Sequence, residues 1–273
     1  ALALIPALHV DSAGRQSASL QVIARDKSWW LDYAGTDIQI ERKPLCIRLG
    51  TAVFTRQGLS ISLEQAGLSL HGSVRFGPLR GLEADIMGPF RFLPGMECSH
   101  GVISMAHSLE GTLICNGRPL NFSGGVGYAE TDRGRSFPRR YLWTQCTWPQ
   151  SDPSSIMLAA ASIPLPVGSF RGCICAVVHE GREYRLATYR GARIRRWTGE
   201  AVTIRQGGWC LDARLEEGDR QPLRAPVEGS MGRIVHESLC GAVHYRFVLD
   251  GRIVLDRTGR CAGFESSGGN GGE

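Results

Sequence analysis

From Leu20 to Val254 the chain repeats one pattern: runs of five to nine residues in which apolar and polar side chains alternate, each closed by glycine, proline, asparagine or aspartate. Leu59-Ser-Ile-Ser-Leu63 and Leu68-Ser-Leu-His-Gly-Ser-Val74 are clear instances. A period of two sends alternate side chains to opposite faces, so these runs predict half-buried strands. Asn116-Gly117, Glu180-Gly181 and Asp250-Gly251 fall between such runs and predict tight hairpin turns. Helical patterns are scarce. Ser154 to Ser162 is apolar enough for a short helix, yet Ile156 to Ile163 fits a fully buried strand as well, and periodicity does not choose between them. The expected fold class is mainly β, with antiparallel sheets.

A chain of 273 residues is long for one β unit and comfortable for two. The turn-rich segment Thr147-Trp-Pro-Gln-Ser-Asp-Pro-Ser-Ser155 places a boundary near residue 150, giving an N-terminal unit over 1–150 and a C-terminal unit over 151–273. The Gly/Ser-rich end, Ser266 to Glu273, is expected to be a disordered tail. The sequence opens without methionine in what reads as the middle of a strand, so an upstream strand is expected to lie outside it. At 42% hydrophobic and 21% charged residues, the chain can bury a sizeable core.

Charge and cysteine usage narrow the partners. The net charge of +5 comes from scattered arginines, which is no nucleic-acid footprint, although Arg133, Arg135, Arg139 and Arg140 form a local basic group able to meet an anion. No run reaches the roughly 18 to 20 apolar residues of a membrane span, so no integral membrane segment is expected and only peripheral membrane contact stays open. Nine cysteines occur without a C-x-x-C pair, arguing against a disulfide framework or a metal site. Reduced thiols of this kind suit the cytoplasm. Gly124, Gly125, Gly127 and Gly134 match no phosphate-loop pattern and suit a β-bulge or a sheet corner, so no nucleotide, flavin or other cofactor is expected.

Candidate chemistry concentrates between Met96 and Cys146, read as three strands. On the first, Ile103, Met105, His107, Leu109, Gly111 and Leu113 share one face, which puts His107 on an apolar surface. On the second, Tyr128, Glu130 and Asp132 line up at i, i+2 and i+4. Two neighbouring carboxylates with limited solvent raise the pKa of at least one, which keeps a proton available for general acid work near neutral pH. On the third, Tyr141, Trp143 and Gln145 form an aromatic wall with a polar end. Blander readings stand beside these: a core histidine held by a neighbouring strand, rim ion pairs from Glu130 or Asp132 to Arg133, Arg135 or Arg139, and aromatics that merely fill the interior. His100, His179, His236 and His244 carry weaker claims than His107.

The run from His107-Ser-Leu-Glu-Gly through Gly127-Tyr-Ala-Glu-Thr-Asp-Arg-Gly-Arg-Ser-Phe-Pro to Tyr141-Leu-Trp-Thr-Gln resembles the signature of tocopherol cyclase-like proteins. The resemblance continues through Asp85-Ile-Met-Gly-Pro-Phe90, Arg171-Gly-Cys-Ile-Cys-Ala-Val-Val, Arg182 to Gly191 and Leu223 to Arg233, and so spans nearly the whole chain. It implies two lipocalin-like antiparallel β-barrel units packed side by side. It also implies acid chemistry on a prenyl double bond, which the plant cyclases of the family protonate so that a phenolic oxygen can close a chromanol ring. The resulting expectation is a cofactor-independent cyclase or isomerase acting on a hydrophobic, prenylated or polycyclic small molecule. Asp132, Glu130 and His107 are the candidate catalytic residues, with Asp132 and Glu130 at the mouth of the only sizeable pocket; Tyr128, Trp143, Tyr141 and Met105 are the candidate ligand-binding residues. The alternative is a non-catalytic lipocalin-like carrier of a hydrophobic ligand, and a third reading is an interaction protein with filled units.

Overall fold

The computed structural model describes residues 1–93, 96–148, 154–164, 168–218, 221–227 and 230–268. It is mainly antiparallel strand, with three short 3-10 turns. Three sheets follow one another along the chain. The first is a meander of β1 (Leu2–Val10), β2 (Gln16–Ala24) and β3 (Ser28–Ala34). The second contains β4 (Ile38–Arg42), β5 (Leu45–Leu49), β6 (Ala52–Thr55), β7 (Gly58–Gln65), β8 (Leu68–Phe76), β9 (Cys98–Cys115), β10 (Arg118–Asn121) and β11 (Val126–Gly134). Its spatial order is β10-β9-β8-β7-β6-β5-β4, with β11 paired to β9.

The third sheet is the largest. It contains β12 (Tyr141–Trp148), β13 (Ser154–Pro164), β14 (Ser169–His179), β15 (Arg182–Ala187), β16 (Arg193–Trp197), β17 (Ala201–Gln206), β18 (Trp209–Glu217), β19 (Gln221–Val227), β20 (Ser230–Leu249) and β21 (Arg252–Ser267). The order is β15-β14-β13-β12-β21-β20-β18-β17-β16, with β19 on β20.

Local chemistry explains the hairpins. In Asn116-Gly117, Glu180-Gly181 and Asp250-Gly251 both residues have positive φ, as a type I′ turn requires. Ala66-Gly67 makes the same turn between β7 and β8, with alanine at φ 52°, and alanine there is a signal that composition conceals. The ambiguous stretch after Ser154 is strand β13. Both of its faces are covered: Ile156, Leu158 and Ala160 enter the core of the third sheet, and Met157 enters a separate cluster with Ile86, Met105 and Ile174. Double coverage removes the alternation that would have marked a strand.

The expected boundary near residue 150 falls on 149–153, outside the described residues. Within the described ones, the change of sheet comes earlier, between β11 and β12: β12 ladders with β13 and β21. Of the expected tail, Ser266 and Ser267 belong to β21 and pair with Leu142 and Tyr141, because a buried neighbour strand offers their backbone groups partners. Residues 269–273 lie outside the described residues.

Two glutamines join what no ladder joins. The third sheet curls until β15 faces β17, where Gln206 Nε2 donates to the Arg185 carbonyl and Gln206 Oε1 accepts from Ala187 N, each at 3.0 Å. Inside lies a single core that includes Tyr245, Phe247, Phe264, Leu211 and Cys175. Strand β2 is buried on both faces, sending Leu20 and Val22 into the core shared with the second sheet and Ile23 toward Leu223 and Val235. There Gln21 donates to the Arg224 carbonyl at 3.0 Å and accepts from Arg224 N at 2.8 Å. The segment after β8 is tied down by Arg185, which donates to the carbonyls of Ala84 and Asp85 at 2.8 Å.

Candidate active site

Where the second and third sheets meet, β9, β11, β12, β20 and β21 bring together polar side chains that are hundreds of atoms apart along the chain. Period two holds on β11, and the Tyr128 hydroxyl donates to Glu130 Oε2 at 2.6 Å. Trp143 Nε1, from β12, donates to the same oxygen at 3.2 Å. His100 Nε2, from β9, lies 3.3 Å from it as an ion-pair contact, and His100 Nδ1 lies 3.0 Å from Asp132 Oδ1. Glu130 Oε2 thus accepts two hydrogen bonds and has an imidazole nitrogen close by. Oε1 makes no hydrogen bond among the described residues.

The electrostatics follow from burial. Glu130 keeps 25% of its side chain exposed and His100 10%. Burial raises the Glu130 carboxyl to about 7, against the pull of His100 and with help from Asp132. Burial pulls the His100 imidazole down, but Glu130 and Asp132 together outweigh it and hold it up at about 9. Tyr128 is pushed well above the usual phenol range by burial and by the Glu130 charge. At neutral pH the cluster therefore holds an imidazolium and a carboxyl group that is poised between its two forms.

Two more glutamates stand behind it. Glu237 on β20 and Glu265 on β21 are directly opposed in the ladder, and both are buried. Burial, then the nearby Glu130, raises Glu237 to about 7. Glu265, which accepts a hydrogen bond from the Tyr141 hydroxyl, is raised well above the carboxylate range by burial and then by Glu237. Like charges facing each other across a ladder are unfavourable, and retained protons relieve that conflict.

Not every expected residue joins the cluster. His107 is buried at the other end of β9, where its ring meets Phe76 at 4.7 Å and its Nδ1 lies 3.1 Å from Ser104 Oγ. Its ring fills the space above Gly127, where any Cβ would lie 2.3 Å from Nε2. Burial lowers its pKa, so it is a neutral core group. We expect His107→Phe to cost about 1 kcal/mol in urea unfolding and to leave the Glu130 titration, followed by carboxyl carbon NMR, unmoved. A displaced titration would place His107 in the acid network after all. Met105 packs against Ile86, Met157 and Ile174 and lines no cavity described here. Glu130 and Asp132 do not line the larger surface groove, of about 840 Å³, whose walls include Phe137, Arg139, Arg233 and Ser267. Instead of standing at its mouth, both face His100 across the pairing of β11 with β9.

One donor from each of His100, Glu130 and Asp132 lies within 4.8 Å of the others, a spacing that a divalent ion can span. Cysteine and histidine spacing in the sequence carries no trace of such a group. Both imidazole nitrogens face carboxylates, so an ion seated here would take the place of one of those contacts.

Fold and site together define an antiparallel β protein with a hydrogen-bonded carboxylic acid set among aromatic side chains. The family model for tocopherol cyclase-like proteins matches residues 69–268, and the chain belongs to that family. No curated protein matches it. Among solved structures, CghA is similar over 99% of this chain and 88% of its own, at 12% identity and a TM-score of 0.54; it has also been solved with Sch210972. A Nitrosomonas europaea protein assigned as AttH is similar over 97% of this chain and 91% of its own, at 14% identity and a TM-score of 0.50. Kievitone hydratase from Nectria haematococca is similar over 96% and 87%, at 10% identity and a TM-score of 0.48. Among the described residues, no helix is long and apolar enough to cross a membrane.

Proposed function

We propose that this protein is a cofactor-independent enzyme of cyclase or isomerase type that protonates a hydrophobic, prenylated or polycyclic small molecule, with Glu130 as the proton donor. The observation that carries this reading is the asymmetry of the Glu130 carboxyl: Oε2 accepts from Tyr128 and Trp143 and faces His100, while Oε1 makes no hydrogen bond among the described residues and belongs to an acid raised to about 7. Such an acid is substantially protonated at neutral pH and aimed by its own anchors.

The step balances without a co-reactant. The Oε1–H bond breaks as the alkene π pair forms a C–H bond, leaving a carbocation on the more substituted carbon. The faces of Trp143 and Tyr128 suit that charge. A phenolic oxygen then closes a C–O bond and its proton returns to the Glu130 carboxylate; loss of a neighbouring C–H proton instead gives an isomerised alkene. Asp132 orients His100 in this scheme. In the same reading the second and third sheets are the walls of two lipocalin-like barrel units, and the nine unbridged thiols belong to a cytoplasmic protein.

The test is a panel of prenylated hydroquinones incubated with the protein in D2O. A ring-closed or isomerised product carrying one deuterium at the carbon that accepted the proton is expected by mass spectrometry. Turnover without deuterium incorporation would rule out protonation of the alkene.

A further inference from the structure

The groove of about 840 Å³ beside the acid cluster has an uneven charge: among the described residues Arg135, Arg139 and Arg233 line it against the one carboxylate of Glu97. The three arginines differ in what they do. Arg233 is committed to the wall, donating to the carbonyls of Pro138 and Arg139 at 3.0 and 2.9 Å and to Ser267 Oγ. Arg135 and Arg139 are exposed, and among the described residues neither guanidinium has a carboxylate partner. Two arginines without carboxylate partners among the described residues, lining one concave surface with a third held in its wall, suit a bidentate oxyanion.

The groove and the tryptophan that anchors the acid share one face of the third sheet. Ser267, in the groove, lies opposite Tyr141, and two residues along the ladder Glu265 lies opposite Trp143, whose indole holds Glu130. Two residues of strand measure about 7 Å. Phe137, also in the groove, meets the Tyr141 ring edge-on at 5.9 Å, so the path between them is aromatic. We propose that the groove holds the anionic group, a carboxylate or phosphate, of the hydrophobic small molecule on which Glu130 acts. The inference rests on the acid reading for the reacting end of that molecule, and on the arginines for its charged end. It makes the substrate an amphiphile whose anion and reacting double bond are separated by several bonds.

A matched pair of fluorescent probes tests this: 1-pyrenebutyrate, a polycyclic carboxylate, and 1-pyrenebutanol, its neutral alcohol. At low salt the protein is expected to bind the carboxylate about tenfold more tightly than the alcohol, with the gap shrinking as salt is added. Arg135→Gln combined with Arg139→Gln should close the gap while leaving the affinity for the alcohol unchanged, with a thermal melt confirming that the variant folds. Equal affinities in the wild type, no binding of either probe, or a gap that survives the double substitution would each overturn the proposal. Glu130→Gln keeps the gap if the groove is a separate subsite. The gap persisting while Glu130→Gln retains full turnover sinks the acid reading alone, whereas an inactive Glu130→Gln in a protein without the gap sinks the groove alone.

Discussion

Glu130→Gln is expected to lower turnover of a prenylated substrate by about 10²- to 10⁴-fold, the range that a positioned general acid contributes. Glutamine keeps the length of the side chain and an oxygen that can accept from Tyr128 and Trp143, so the walls of the site should stay in place and ligand affinity should change little. What disappears is the transferable proton, and an interaction used only in the transition state shows as a loss in kcat rather than in KM. The wild-type rate should fall as pH rises through about 7, where the Glu130 carboxyl gives up its proton. Asp132→Asn should fall well short of the same loss, because the Asp132 carboxylate holds His100 and does not carry the proton in this arrangement. Steady-state kinetics of the two variants against pH decides the matter: a Glu130→Gln protein with wild-type kcat removes Glu130 as the donor.

Thermal stability is expected to fall by on the order of 10 °C in Tm between about pH 5 and about pH 9. Glu237, 6% exposed, is raised from 4.5 to about 7. The folded chain therefore binds its proton at a pH where the unfolded chain has released it. That contribution is complete below about pH 4.5 and is lost as pH rises through about 7. His100 acts in the next window, complete below about pH 6.5 and lost as pH rises through about 9. Each shift corresponds to about 3 kcal/mol, and mutual coupling makes the sum smaller than its parts. Glu237→Gln should flatten the lower part of the slope and raise Tm at neutral and alkaline pH, since it keeps the shape and removes a buried charge. Melts followed by circular dichroism across this range check both statements. A Tm that climbs toward pH 9 would mean that the buried glutamates are compensated by cations in the folded chain.

The parts of this structure that were legible in the sequence are those fixed locally. Alternation at Leu59 to Leu63 and at Leu68 to Val74 marked β7 and β8, and Asn116-Gly117 marked its turn, because side-chain parity and left-handed backbone are properties of adjacent residues. The shared face of Tyr128 and Glu130 was legible for the same reason. Histidine was not. Parity correctly puts His107 on an apolar face, but which histidine reaches the acid depends on the register of β11 against β9, and that register shifts between Gly127 and Glu130. His107 is left opposite Gly127 and His100 opposite Asp132. Bulges of this kind re-aim side chains and leave only glycines as a trace. Glu237 and Glu265 were hidden more deeply, since each reads alone as an exposed strand carboxylate until the ladder of β20 and β21 sets them face to face behind Trp143.

The two glutamine clasps have a genetic consequence. A backbone ladder belongs to the peptide chain itself, so apart from proline no single substitution deletes it. Gln206 and Gln21, by contrast, join strands through one side chain each, reaching both a carbonyl and an amide of the facing strand. A shorter asparagine has the same amide and lacks the reach. Sequence drift that a ladder absorbs would at these two codons remove both hydrogen bonds of a junction at once, so part of the fold's mutational fragility sits on a pair of uncharged, chemically inert side chains.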